Sequence, residues 1–219
     1  MNPRYDPVVF DLDGTLVDSG PIIVKALLEA CALTGVAVPE SVDMTQCVGP
    51  PLEVILPKLL CPDVDVEALV STYRRLYRPM AQRETVPMPG AVELLAELKE
   101  AGITLALATY KTTELASVVL DATSMREMFD VIGGRASPVD RRTKTQVLRG
   151  VLERLEPHGR DPLFVGDHQE DRDAAMALSV AFVPYVNQWS WQDVKTSVFG
   201  RSARDDDRAH DDAQPGQNR

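Results

Sequence analysis

The chain has 219 residues, 44% of them hydrophobic, which gives room for one sizeable core and a small accessory domain. Its formal net charge of -10 argues against a nucleic acid polymer as a partner, because the sequence has no basic stripe that could displace counterions. No apolar run reaches the length of a membrane span, so we expect no membrane partner either.

The first predicted strand is the apolar run at residues 8–10, which ends in two acids two positions apart, Asp11 and Asp13. Gly14 allows a sharp turn there, so both carboxylates can converge on one ligand at the carboxyl edge of a sheet. Such oxygen ligands suit Mg²⁺ beside a phosphate, and one acid could attack while the other transfers protons. A polar turn after a strand is the alternative for this pair taken alone.

Residues 16–85 show three helical patterns and no convincing strand, which predicts a helical cap inserted after the first strand. We expect the turn at Gly49 and Pro50 to face the site, because glycine permits close backbone approach and proline stiffens the turn. An ordinary connection between helices is the alternative for this turn.

From residue 90 onward, helical and strand patterns alternate. Helices are predicted at 92–100, 114–121, 145–155 and 174–178, and strands at 103–108, 131–132, 163–165 and 181–183. This order predicts an α/β fold with a doubly wound, mostly parallel sheet, a Rossmann-like core. The predicted units are a core of residues 1–15 and 86–199, a cap of residues 16–85 and a disordered acidic tail of residues 200–219.

Further polar residues follow the later strands. Thr109 closes the strand at 103–108, Asp167 follows the strand at 163–165, and Asp171 lies near the start of the next helix. Lys144 precedes another helix, where a cation is slightly unfavourable unless an anion lies nearby. Taken singly, these residues could be a strand-end hydroxyl, a helix cap and a solvated charge. Taken in order, they predict a phosphate site and metal site in one crevice.

The sequence leaves open the roles of two residues next to these positions. Lys111 either reaches the site or is exposed to solvent. His168, beside Asp167, either touches the substrate, orders the turn or is an exposed turn residue.

In this order the motifs resemble those of the haloacid dehalogenase superfamily of phosphohydrolases, from about residue 5 to about residue 186. Its four motifs are matched, in turn, by Asp11-x-Asp13-Gly14-Thr15, by Thr109, by Lys144, and by Gly166-Asp167 with Asp171. Residues 17–19, 48–52 and 87–91 look like the branch that contains phosphoglycolate phosphatases and related nucleotidases.

The resemblance implies a mechanism and a metal. Asp11 would attack phosphorus and form an aspartyl-phosphate, while Asp13 would act as general acid and then base. Thr109 and Lys144 would bind the phosphoryl oxygens. Mg²⁺ would be held by the Asp11 carboxylate, the backbone carbonyl of Asp13 and the Asp167 carboxylate, with Asp171 completing or orienting the ligand shell.

The resemblance also implies a small phosphorylated metabolite as substrate, of phosphoglycolate, sugar phosphate or nucleoside monophosphate type, and a monomer or homodimer. The odd number of unpatterned cysteines and the lack of a signal-peptide pattern favour a cytoplasmic protein.

Other functions share this fold. A sugar-phosphate mutase would keep every core residue and differ in the cap, so the sequence leaves it open. A haloacid dehalogenase generally lacks the second acid, which Asp13 supplies here. A phospho-acceptor signalling module also clusters Asp, Thr and Lys around Mg²⁺, but it is shorter and has no cap. A non-catalytic binding protein would be expected to lack at least one of the acids.

Overall fold

The computed structural model describes residues 3–60, 63–137, 139–155 and 161–200. Within these ranges, the strands are β1 (Tyr5–Phe10), β2 (Val17–Asp18), β3 (Val86–Pro87), β4 (Leu105–Thr112), β5 (Val131–Arg135), β6 (Asp161–Gly166) and β7 (Ala181–Pro184). The helices are α1 (Gly20–Thr34), α2 (Leu52–Leu59), α3 (Val66–Glu84), α4 (Ala91–Glu100), α5 (Thr113–Ala122), α6 (Lys144–Arg154), α7 (Gln169–Ala177) and α8 (Ser190–Phe199). Short 3₁₀ turns cover Met44–Cys47 and Arg126–Met128.

The centre of the fold is a five-stranded sheet in the order β5-β4-β1-β6-β7, in which every strand pair is parallel. Strand β1 is buried on both faces, with Val8, Val9 and Phe10 inaccessible to solvent. Val8 and Phe10 belong to one hydrophobic cluster and Val9 to another, as the two-residue period of a strand requires. The α/β fold class with a doubly wound parallel sheet is confirmed.

Helices cover both faces of the sheet. On one face, α6 and α7 contribute Val147, Leu148 and Ala174 to the cluster that contains Val9. On the other face, α4, α5 and α8 pack with the larger cluster. Helix α8 was not predicted from the sequence, although Trp191, Val194 and Val198 have helical spacing and are buried.

Helices α1, α2 and α3 occupy the stretch for which a helical cap is predicted. Helices α1 and α3 pack against each other, and α3 also contacts α5. The apolar faces that the sequence shows are buried, including Ile23 and Leu27 in α1 and Leu69 and Tyr73 in α3. The boundaries of a separate cap at residues 16–85 stay a prediction, and the predicted tail lies, apart from Gly200, outside the described residues.

One part of the predicted cap is not helical. Strands β2 and β3 form an antiparallel pair in which Val17 lies opposite Pro87 and Asp18 lies opposite Val86. The expectation of no strand in residues 16–85 was therefore wrong for Val17–Asp18. Two residues are too short a stretch for alternation of polar and apolar side chains to show in a sequence.

Within the described part of the chain, no helix is both long enough and apolar enough to cross a membrane.

Candidate active site

The polar residues of the candidate site lie where neighbouring parallel strands end. Asp11 comes directly after β1, and its backbone N–H donates to the Val165 carbonyl in β6 at 2.9 Å. Asp167 follows β6 in the same way. Thr109 lies inside β4 and not at its end, because β4 pairs again with β5 at Thr112 after an irregularity in register. The carboxyl edge of the sheet thus carries all three side chains.

Lys144 is the first residue of α6, and its ammonium group lies between two buried carboxylates. Its Nζ is 2.7 Å from Asp11 Oδ1 and 2.8 Å from Asp171 Oδ1. Its backbone N–H donates to the Tyr110 hydroxyl at 3.0 Å. A cation in the first turn of a helix is unfavourable for the helix dipole, and the two carboxylates offset this cost.

Asp167 is held by two hydrogen-bonding neighbours. Its Oδ1 accepts from the Thr15 hydroxyl at 2.7 Å, and its Oδ2 lies 2.8 Å from His168 Nδ1. The other ring nitrogen of His168 is 3.1 Å from the Val48 carbonyl oxygen, which lies in the predicted cap. Gly14 has a φ of 82° and lies so close to Asp167 that a Cβ would overlap the carboxylate. The His168 imidazole therefore contacts both Asp167 and the segment that contains α1, α2 and α3 (residues 16–85, the helical segment).

Four side chains offer ligand atoms that could hold a metal ion: those of Asp11, Asp167, His168 and Asp171. Their ligand atoms all lie within 4.8 Å of one another. Three of them are carboxylates, the donors that a hard divalent cation prefers, and carboxylates this close repel one another unless a cation compensates their charge. The side chains present therefore fit such a cation. The Asp13 side chain is not in this group.

The Asp13 carboxylate contacts Lys111 and Ser19 instead. Lys111 Nζ donates to both of its oxygens at 2.7 Å, and the Ser19 hydroxyl donates to Oδ1. The side chain of Lys111 is only 8% exposed, and its Nζ lies 4.7 Å from the centre of the Tyr77 ring. Lys111 therefore reaches the site, which was one of the two assignments that the sequence left open.

Burial and charge pairing displace the pKa values of these groups. Burial raises the pKa of Asp11 to about 7; Lys144 opposes this shift and the neighbouring carboxylates add to it. For Lys144 and Lys111, burial favours the neutral amine, but the carboxylates that face them hold both pKa values above their usual range. The hydrogen bond to the adjacent carboxylate raises the pKa of His168 to about 9. Both lysines therefore carry their charge at neutral pH.

A crevice separates the sheet edge from the helical segment. The sheet side is lined by Asp11, Asp13, Thr109 and Lys144, and the opposite side includes Gly49 and Pro50. Gly49 has a φ of 96°, and a Cβ at this position would overlap the His168 ring. The turn at Gly49 and Pro50 thus lies across the crevice from the phosphate-site residues that the sequence predicts.

Among the charged residues of the crevice, Arg135 and Glu53 were missed in the sequence. Arg135 is the last residue of β5, and Glu53 lies in the first turn of α2. The signal for Arg135 was present, since it follows an apolar strand pattern as Asp11 and Asp167 do. The two glycines between that pattern and Arg135 made the predicted strand end too early. Glu53 offers no comparable signal, because a glutamate in a first helical turn is an ordinary favourable residue.

The site agrees with the family to which the chain belongs. Residues 8–184 match the haloacid dehalogenase-like hydrolases, and the protein is a member of this family. The resemblance that the motifs indicate is thereby confirmed.

Individual relatives are named for different activities. Tyrosine-protein kinase PtkA of Mycobacterium tuberculosis is 36% identical over 79% of this chain and 59% of its own length, so the chain spans less than two thirds of that relative. A phosphoglycolate phosphatase of Agrobacterium fabrum is 31% identical over 81% of this chain and 79% of its own length. The structure of a haloacid dehalogenase-like hydrolase from Streptococcus pneumoniae has a TM-score of 0.72 and 26% identity, and the match covers 87% of this chain and 90% of that one.

Proposed function

We propose that this protein is a Mg²⁺-dependent phosphatase that hydrolyses a small phosphate monoester through an aspartyl-phosphate at Asp11. The observation that carries the proposal is the position of the Asp11 carboxylate, which is paired with Lys144 and lies within a cluster of acids at the sheet edge. Membership of a hydrolase family and similarity to a phosphoglycolate phosphatase support it.

Asp11 is the proposed nucleophile. It is 4% exposed and lines the crevice, so a phosphate ester that enters would meet its carboxylate away from bulk water. Attack on phosphorus forms a bond between an Asp11 carboxylate oxygen and phosphorus, which gives an acyl phosphate, and breaks the bond between phosphorus and the leaving alkoxide oxygen. The Thr109 hydroxyl and the Lys144 ammonium are the proposed donors to the phosphoryl oxygens, where charge builds in the transition state.

Asp13 is the proposed general acid and base. In its protonated form it would give its proton to the leaving alkoxide, and it would then accept a proton from the water that hydrolyses the intermediate. Lys111 and Ser19 fix the orientation of its carboxylate.

The proposed metal ligands are the carboxylates of Asp11, Asp167 and Asp171, together with the backbone carbonyl of Asp13. Bound Mg²⁺ would neutralise negative charge shared between the acids and the phosphoryl group. The His168 imidazole is a poorer ligand for this hard cation, and it already contacts Asp167, so we assign it to orienting that carboxylate.

We further propose that residues 16–85 act as the cap of the core formed by residues 1–15 and 86–199. The crevice between the two parts supports this division. A cytoplasmic location is also proposed, and it is supported by Cys31 and Cys47, which are buried free thiols.

The test is phosphate release from phosphoglycolate, a hexose phosphate and a nucleoside monophosphate, with Mg²⁺ and with excess chelator. The variant Asp11→Asn keeps the size of the side chain but removes the nucleophile, so we expect its activity to fall below about 1% of wild type. Asp18→Asn, at an exposed position, is the matched control and should keep full activity. Substantial activity in a folded Asp11→Asn protein would contradict the proposed nucleophile.

The similarity to relatives named as tyrosine-protein kinase favours a second candidate, transfer of a phosphoryl group to tyrosine. The two functions differ in the final acceptor of the phosphoryl group, which is water for a phosphatase and a tyrosine hydroxyl for a kinase. Incubation with ATP, Mg²⁺ and a tyrosine-containing peptide separates them by mass spectrometry. Under our proposal no phosphotyrosine forms, whereas a sugar-phosphate mutase would give neither phosphotyrosine nor net release of phosphate.

A further inference from the structure

We propose that Arg135 binds a second anionic group of the substrate, a carboxylate or a second phosphate. This inference rests on the proposed phosphatase function and narrows its substrate class. The preferred substrate would then be a small phosphate ester whose non-transferred part is itself negatively charged.

Arg135 is a buried cation at the wall of the crevice. It ends β5 at the same sheet edge as Thr109, lines the crevice and is only 5% exposed. Among the described residues, its Nε is buried and has no hydrogen-bond partner. A buried donor without a partner is costly, and most such groups in proteins are satisfied. An oxyanion in the crevice would satisfy it.

The position of Arg135 relative to the phosphate site suits a small substrate. Its guanidinium carbon lies 5.3 Å from the centre of the Tyr110 ring, and Lys144 Nζ lies 5.2 Å from the same centre. The two cations are therefore separated by at most about twice that distance. The Tyr110 hydroxyl accepts a hydrogen bond from the Lys144 backbone N–H, which fixes the ring beside the start of α6. A second oxyanion a few bonds from phosphorus falls within this span.

One carboxylate of the helical segment already lies near Arg135. Glu53 Oε2 is 3.5 Å from Arg135 Nη1, beyond the length of an ordinary charge-assisted hydrogen bond. The other Glu53 oxygen is 2.5 Å from Arg74. Glu53 is thus held mainly by Arg74, and it leaves Arg135 only a long contact. A substrate oxyanion can form the shorter, forked contact that a guanidinium favours.

Burial would raise the pKa of Glu53, but its own backbone N–H and the facing arginines hold it below its usual range. Glu53 therefore stays charged and shows that this part of the crevice accommodates an oxyanion.

The test compares three small substrates: phosphoglycolate with a carboxylate, pyrophosphate with a second phosphate, and ethyl phosphate with a neutral remainder. The variant Arg135→Gln keeps hydrogen-bonding capacity but removes the charge and the guanidinium. We expect it to raise KM for phosphoglycolate, pyrophosphate or both by about tenfold or more. Its kcat/KM for ethyl phosphate should stay within about twofold of wild type. The anionic substrate that is affected identifies the second group.

Arg83→Gln, an exposed arginine in α3, is the matched control and should change none of the three KM values. Equal losses on all three substrates, or no loss on either anionic one, would overturn the inference. If Arg135→Gln does not fold, Arg135→Lys keeps the charge but lacks the fork. Arg135→Lys should then raise KM several-fold for the anionic substrates alone. An equal change of KM for all three substrates would overturn the inference.

Calorimetry separates this inference from the proposed function. The Asp11→Asn variant lacks the proposed nucleophile, so calorimetry can measure substrate binding without hydrolysis. Adding Arg135→Gln to this variant should weaken phosphoglycolate or pyrophosphate binding about tenfold without weakening ethyl phosphate binding. Absence of phosphate release in the wild type refutes the phosphatase proposal. Binding that does not distinguish charged from neutral esters refutes the role of Arg135.

Discussion

Replacing Lys144 with Met should destabilise the fold as well as abolish activity. The ammonium group is the buried partner of two carboxylates, at 2.7 Å from Asp11 and 2.8 Å from Asp171, and its side chain is 4% exposed. Removing one partner of a buried ion pair typically costs about 3–5 kcal/mol. Burial already raises the pKa of Asp11 to about 7, so this carboxyl can take up a proton and relieve part of the cost. We therefore expect a loss of about 3 kcal/mol at pH 7.5.

Urea unfolding without metal measures this loss, and Lys25→Met provides the control. Lys25 pairs with Glu84 at 2.9 Å, a similar distance, but both side chains are exposed, so the loss should be below about 1 kcal/mol. Adding Asp171→Asn to Lys144→Met should recover part of the stability, because it removes one buried carboxylate that has lost its ammonium partner. Equal losses of unfolding free energy in Lys144→Met and Lys25→Met would refute the reasoning. Additive effects of Lys144→Met and Asp171→Asn would also refute it.

Three shorter predictions follow from the site. Excess chelator should abolish phosphate release, which Mg²⁺ should restore and Ca²⁺ should not, because Ca²⁺ takes more and looser oxygen ligands; full activity in chelator would contradict the metal site. Gly49→Val should raise KM at least about threefold, because the valine side chain would displace His168. The control Gly35→Val, at a φ of 72° with open space around it, should leave KM unchanged and lower the free energy of unfolding by about 1–2 kcal/mol. A KM of Gly49→Val equal to that of wild type would show that the turn is only a connector. Burial raises the pKa of Cys47 to about 11, so at pH 8 iodoacetamide should alkylate the Cys47 thiol roughly a hundredfold more slowly than it alkylates the thiol of free glutathione, and the rate should rise towards pH 11. Peptide mass spectrometry measures the rate, and equal rates for Cys47 and glutathione would exclude a protected thiol.

The sheet was predictable because its strands are buried on both faces. Such strands give short apolar runs, and the runs at residues 8–10 and 163–165 lie within β1 and β6. The acids that end these runs, Asp11 and Asp167, were visible for the same reason. The expected helices of residues 16–85 were found as α1, α2 and α3, since each has an apolar face that repeats along a helix.

Side-chain partnerships were not predictable to the same degree. The ion pair between Lys111 and Asp13 joins residues 98 positions apart, and no local pattern encodes such a contact. Arg135 and Glu53 likewise meet across the crevice from β5 and α2. The pairing of β2 with β3 depends on strands of two residues each, which are defined by their partner and not by their own sequence.

The antiparallel pair of β2 and β3 bears on how this chain can diversify. Asp18 and Val86 are paired neighbours, so the helical segment leaves and re-enters the fold at adjacent points. An insertion whose two ends meet places little constraint on its own length, because loop-closure entropy grows slowly with chain length. Helices above the crevice can be lengthened, shortened or exchanged over evolution while β1 and β4 keep their register. Substrate preference can thus diverge above a sheet edge whose chemistry stays the same.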